Sequence, residues 1–111
     1  MVQPVRVVVA PADDDPTSAD RMARDLRNDG HEVIRTGSSD ADAIAAIALQ
    51  EDAVAIGLPD GSPVSVTELT ATLAGLDLGG VIVLGPADAG TQPSSITERL
   101  RSALSARSAP A

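Results

Sequence analysis

The stretch VVVAPADDDPTSADRM, residues 7–22, decides the fold. It opens as a run of β-branched residues and stops at Pro11. Three aspartates and a second proline follow, and then a segment with helical spacing begins. An apolar run of this length, rich in Val, reads as a strand buried on both faces. Thr17 or Ser18 caps the next segment, in which Ala19, Met22, Ala23 and Leu26 recur at i, i+3, i+4 and i+7, the stripe of an amphipathic helix. Gly30 is the stop signal of that helix. A buried strand followed at once by such a helix is the first half of a βαβ unit.

The same alternation continues to the end of the chain. HEVIRT, residues 31–36, reads as a second strand; Asp40 caps a helix over residues 41–50 with Ile44 and Ile47 inward. AVAIGL, residues 53–58, is a third strand ended by Pro59. Ser65 and Glu68 have capping-box spacing and open a helix predicted to place Leu69, Leu73 and Leu76 on one face. GGVIVLG, residues 79–85, is a fourth strand, and Ser95 with Glu98 opens a last helix striped by Ile96, Leu100 and Leu104. Four strand–helix alternations predict an α/β, flavodoxin-like three-layer sandwich around a parallel sheet of order 2-1-3-4. Residues 1–107 form the single domain and residues 108–111 a disordered tail. No fifth strand is legible, so the fourth is expected at an edge. An apolar edge attracts a partner, and either pairing of two copies along residues 81–84 or a partner subunit is the expected cover.

Composition narrows the function. The chain has 111 residues, a net charge of −8, no Phe, Tyr or Trp, and no Cys. An acidic surface does not fit a phosphate backbone or an anionic membrane, and base-stacking platforms need aromatic rings. Neither nucleic acid nor membrane is expected as a partner. Thiol chemistry and disulfides are excluded. The apolar run at the amino terminus is too short for a secretory signal, which leaves the cytoplasm as the default compartment.

In an open α/β sheet, ligands bind beyond the carboxyl ends of the strands. The loops there carry Asp13, Asp14 and Asp15, then Asp60, then Asp88. Converging carboxylates suit Mg²⁺, which would make a small metal-dependent enzyme. Aspartates also suit loops and helix starts with no ligand at all. Ser62 and Ser65 have turn and cap roles to fill. His31, the single imidazole, sits about 18 Å from the aspartates by helix rise and reads as a surface residue. No nucleophile is paired with a base.

DLRNDGHEVIRTG followed by DADAIAAIALQEDAVAIGL, residues 25–37 and 40–58, resembles the cobalamin-binding domain of methylmalonyl-CoA mutase and related acyl-CoA mutases. The resemblance runs over about three quarters of the chain without a gap. It implies a cobalamin site in which the first loop carries Asp-x-His-x-x-Gly, the His being the lower ligand of cobalt. Here Asp13 falls on the motif's Asp, Asp15 on its His and Ser18 on its Gly. Asp15 is a hard oxygen donor in place of a neutral nitrogen, so it is a poor metal ligand for cobalt. The Ser-x-Leu that lines the family's nucleotide-tail pocket becomes Pro59, Asp60 and Gly61. Its later Gly-Gly becomes Leu84 and Gly85. The resemblance thus implies a degenerate, stand-alone module, with cobalamin binding weakened or lost. Its expected partner is a large mutase subunit or another protein. The chain lacks the barrel in which that family's chemistry takes place. At most it would be the small subunit of an adenosylcobalamin-dependent isomerase. A receiver-like signalling domain is the alternative, but Gly57 stands where a receiver's phosphoacceptor Asp belongs, and the chain has no Lys.

Overall fold

The computed structural model describes residues 5–12, 17–37, 40–59, 61–85 and 96–108. Its elements follow in the order β1 (Arg6–Val9), α1 (Thr17–Asn28), β2 (Glu32–Arg35), α2 (Ala41–Gln50), β3 (Ala55–Gly57), α3 (Val66–Gly75), β4 (Ile82–Leu84) and α4 (Ile96–Ser108). The four strands form one sheet of order β2-β1-β3-β4, and every pairing is parallel. This is the flavodoxin-like α/β architecture read from the alternation. No helix among the described residues is long and apolar enough to cross a membrane.

Strand alternation divides the core in two. Val8, Ala10, Ile56 and Leu58 face α2 and α3 and pack on Ile44, Ala48, Leu69 and Leu73. Val7, Val9, Ala55 and Leu84 face α1 and α4 and pack on Ala19, Met22, Leu26 and Leu100. β1 is therefore covered on both sides, which is why its sequence is an unbroken apolar run. The edge strands differ. β2 carries Glu32 and Arg35 at its ends, charges that discourage edge pairing. β4 has only apolar side chains: Ile82 and Val83 are half-covered by the helix layers and Leu84 is buried.

Two of the four predicted caps are seen; Thr17 and Ser18 fall within α1 itself, and Ser95 lies outside the described residues. The Asp40 side chain accepts from the Ala43 N–H at 3.3 Å, and Ser65 Oγ accepts from the Glu68 N–H at 3.0 Å. α4 reaches Ser108, one residue into the stretch read as tail.

Three helices end in the same way. At the end of α1, Gly30 N–H bonds to Arg27 and His31 N–H to Leu26; at α2, Asp52 bonds to Leu49 and Ala53 to Ala48; at α3, Asp77 bonds to Ala74 and Leu78 to Leu73. These are Schellman turns, with a left-handed residue followed by one that folds back on the helix. The left-handed positions are Gly30 at φ 92°, Asp52 at 54° and Asp77 at 61°.

This motif corrects two readings. His31 is not a surface residue: it is 4% exposed. It occupies the inward position after the left-handed residue, as Ala53 and Leu78 do in their turns. Leu76 does not join the inward face of α3. It is the C-cap residue of that helix, where helical spacing no longer applies, and it is 50% exposed.

Candidate functional site

The carboxyl edge of the sheet is built by the segments that leave β1, β3 and β4. Asp13, Asp14, Asp15, Asp60 and Asp88 lie outside the described residues, so the acidic part of the expected site and the candidate cobalt ligand Asp15 are not placed. Ser18, Pro59, Gly61, Leu84 and Gly85 are placed. Ser18 is half-buried in the first turn of α1, and Gly61 is exposed. Pro59 is fully buried, and its carbonyl accepts from the Ser62 N–H at 3.1 Å. Ser62 Oγ in turn accepts from the Val64 N–H at 3.3 Å, so this serine is occupied in shaping its own turn.

Leu84 and Gly85 fall at the end of β4. The Leu84 carbonyl accepts from the Leu58 N–H at 2.8 Å, and its side chain is buried against Leu100 and Met22 in the α1/α4 layer. Gly85 is glycine for a packing reason: a Cβ there would collide with Cγ2 of Val66, the first residue of α3. Its carbonyl accepts from the Arg99 guanidinium of α4. The Nε of Arg99 is buried and has no hydrogen-bond partner.

Gly57, at the end of β3, is covered in the same manner from the opposite layer. A Cβ at this position would lie 2.6 Å from Met22 Sδ, far inside normal contact distance. The thioether of α1 therefore rests directly on the β3 backbone. Met is suited to this use, since its unbranched chain fills irregular gaps. Both glycines at the strand ends, open approach sites in a ligand-binding sheet, are covered by side chains of the chain itself.

The amino edge holds the buried imidazole. Val5 N–H donates to His31 Nδ1 at 3.2 Å, so Nδ1 is an acceptor and the hydrogen of a neutral ring is on Nε2. Asp29 Oδ2 is 3.3 Å from Nε2, but neither atom completes a hydrogen bond. Asp29 also pairs with Arg101 of α4, and that guanidinium holds the carboxyl below its ordinary value. The cluster ties β1, the α1–β2 turn and α4 together. It is a structural clasp, at the end of the sheet away from the β1, β3 and β4 carboxyl termini.

Sequence reasoning missed both Met22 and Val66 as determinants of the carboxyl edge. Met22 reads as one more member of an apolar stripe, and nothing local says that it covers Gly57. Among the described residues no group of three or more His, Asp or Glu side chains is placed to hold a metal ion. No family model matches the chain, and no curated protein matches it.

Proposed function

We propose that this chain is a module of the cobalamin-binding type that has given up the cofactor and acts through contact with a partner protein. The reading begins from the resemblance over residues 25–58 and from the strand order. What carries its second half is the packing at the carboxyl edge: Met22 over Gly57, Val66 over Gly85, and Leu84 buried under Leu100. Pro59 stands at a position that lines the tail pocket in the family it resembles, and Leu84 and Gly85 stand at that family's Gly-Gly. In this fold, two of them are built into the core and the third lies under a valine.

The packing of the described residues speaks against a bound cobalamin. A nucleotide tail needs open approach at the strand ends, and there Met22 lies over Gly57 and Val66 over Gly85. The one imidazole of the chain is a buried clasp at the amino edge, held by Val5 and facing Asp29, and does not reach a metal beyond the carboxyl ends. No step of a radical isomerisation is therefore assigned to this chain. The partner is a larger subunit, another protein, or a second copy paired along the open side of β4.

Gly57 also weighs against the receiver-like alternative. A phosphoacceptor would have to stand on the backbone that Met22 covers.

The test is a titration of the purified protein with hydroxocobalamin and with adenosylcobalamin, followed by gel filtration with detection in the visible. The reading predicts that neither compound co-elutes and that both spectra stay unchanged. Co-elution of one cobalamin per chain would overturn it.

A further inference from the structure

We infer that the amino edge of the sheet, between the α2–β3 and α3–β4 turns, docks a protein segment that presents an aliphatic side chain beside arginine or lysine. This rests on the reading of the chain as a module that works through a partner protein, and it names the surface and the chemistry of that partner.

The two turns are neighbours because α2 and α3 lie on one face of the sheet and return the chain to adjacent strands. Between them is a cleft of about 310 Å³, lined by Asp52, Ala53, Val54, Asp77, Leu78 and Val81 among others. Ala53, Val54, Leu78 and Val81 bring aliphatic side chains to a lining that is otherwise polar. Leu49, three residues before Asp52, is 61% exposed, and Leu76, next to Asp77, is 50% exposed. A single exposed leucine needs no explanation. Two at the ends of the helices that flank one cleft mark a contact surface.

The charge at this edge selects the partner. Asp52 and Asp77 line the cleft, and Glu51 precedes the first of them. Arg6 also reaches this edge: it pairs with Glu32, donates to the Glu51 carbonyl at 2.7 Å and lies within the field of Glu51 and Asp52, which leaves Asp77 as the carboxylate it does not meet. Carboxylates thus stand among aliphatic side chains at this edge, and their complement is a basic residue next to an aliphatic one. The α1 face of a second copy fits poorly. The exposed arginines of α1, Arg21, Arg24 and Arg27, are interleaved with Met22, Ala23 and Leu26, which are all buried. That stripe offers charge without an apolar side chain to fill the cleft. An anionic membrane is repelled by the same carboxylates.

The experiment uses the full ¹⁵N-labelled chain and three synthetic nonapeptides: leucine alternating with arginine, serine alternating with arginine, and leucine alternating with glutamate. Amide shifts are mapped for each. The leucine–arginine peptide should shift Asp52, Val54, Leu78 and Gly80 first. The other two should bind about tenfold more weakly, as expected when either the apolar contact or a pair of rim charges is lost. The double variant Asp52→Asn/Asp77→Asn should lose a similar factor and stay folded, because Asn tolerates the left-handed region. Leu49→Ala/Leu76→Ala, at exposed positions, gives a second variant with the same expected loss. Equal binding of the serine–arginine peptide, or shifts centred on the carboxyl edge, would overturn the inference. Movement of the same amides when the protein is concentrated alone would also overturn it, by making a second copy the occupant. These outcomes leave the partner-protein reading standing, whereas cobalamin uptake would remove that reading whatever the peptides do.

Discussion

Replacing Gly57 by Ala, alone and together with Met22→Ala, measures how tightly the carboxyl edge is packed. The added Cβ would lie 2.6 Å from Met22 Sδ, about 1 Å short of a comfortable contact. Met22 is 9% exposed and has Gly57 beneath it, so its sulfur has little room to retreat. Overpacking of this kind costs about 1–3 kcal/mol. Against this, Gly→Ala at a site of ordinary φ recovers about 0.4–1 kcal/mol from the unfolded chain. The single variant should lose about 1 kcal/mol. Met22→Ala leaves a cavity and should lose about 3 kcal/mol. With a urea slope of roughly 1.5 kcal/mol per molar, that lowers the midpoint by about 2 M. In the double variant the new methyl enters the vacated space. The pair should lose only about 2 kcal/mol, well short of the sum of the two single losses. The assay is urea unfolding followed by far-ultraviolet circular dichroism, since the chain has no aromatic residue to report by fluorescence. Simple additivity of the two costs would refute the contact and, with it, the filled edge.

Leu100→Asp should unfold the domain, because Leu100 is fully buried between α4 and the sheet and a buried unpaired carboxylate costs several kcal/mol; retention of the native midpoint in urea would show that α4 is not part of the core. Asp29 is held low by Arg101, so its contribution to stability is complete above the ordinary carboxyl value and is lost as pH falls through the lowered one. The stability difference between wild type and Asp29→Asn should therefore narrow between about pH 5 and pH 2, and a constant difference would contradict the pairing. Asp52→Gly and Asp77→Gly should each gain about 0.5 kcal/mol, since glycine carries no penalty in the left-handed region; a loss would mean that the carboxylates themselves hold the turns.

The order of elements was legible because each carries its own signal. Val7, Val8 and Val9 read as a doubly covered strand, and Asp40 and Ser65 mark helix starts by a side-chain bond three residues on. His31 and Leu76 were misread for one reason. Burial at a helix end is set by the geometry of the Schellman turn, which sends the residue after the left-handed position inward and leaves the C-cap outside. Periodicity does not extend past the last turn, but Gly30-His31, Asp52-Ala53 and Asp77-Leu78 share a spacing that would have placed His31 inside. The candidate site was legible only in part. The departures at Pro59, Leu84 and Gly85 are visible in one dimension. The contacts of Met22 with Gly57 and of Val66 with Gly85 join residues 35 and 19 positions apart, and no local rule predicts them.

Met22 is the most direct reporter of whether the strand ends are closed. The chain has two methionines, Met1 and Met22, so ¹³C-methyl labelling gives two signals, and the Met22→Ala variant assigns them. The Met22 methyl should keep its shift and linewidth when adenosylcobalamin is added to millimolar excess. A displaced or broadened Met22 signal with saturable, one-to-one behaviour would mean that the thioether yields its place to the cofactor, and the account would be wrong at its centre.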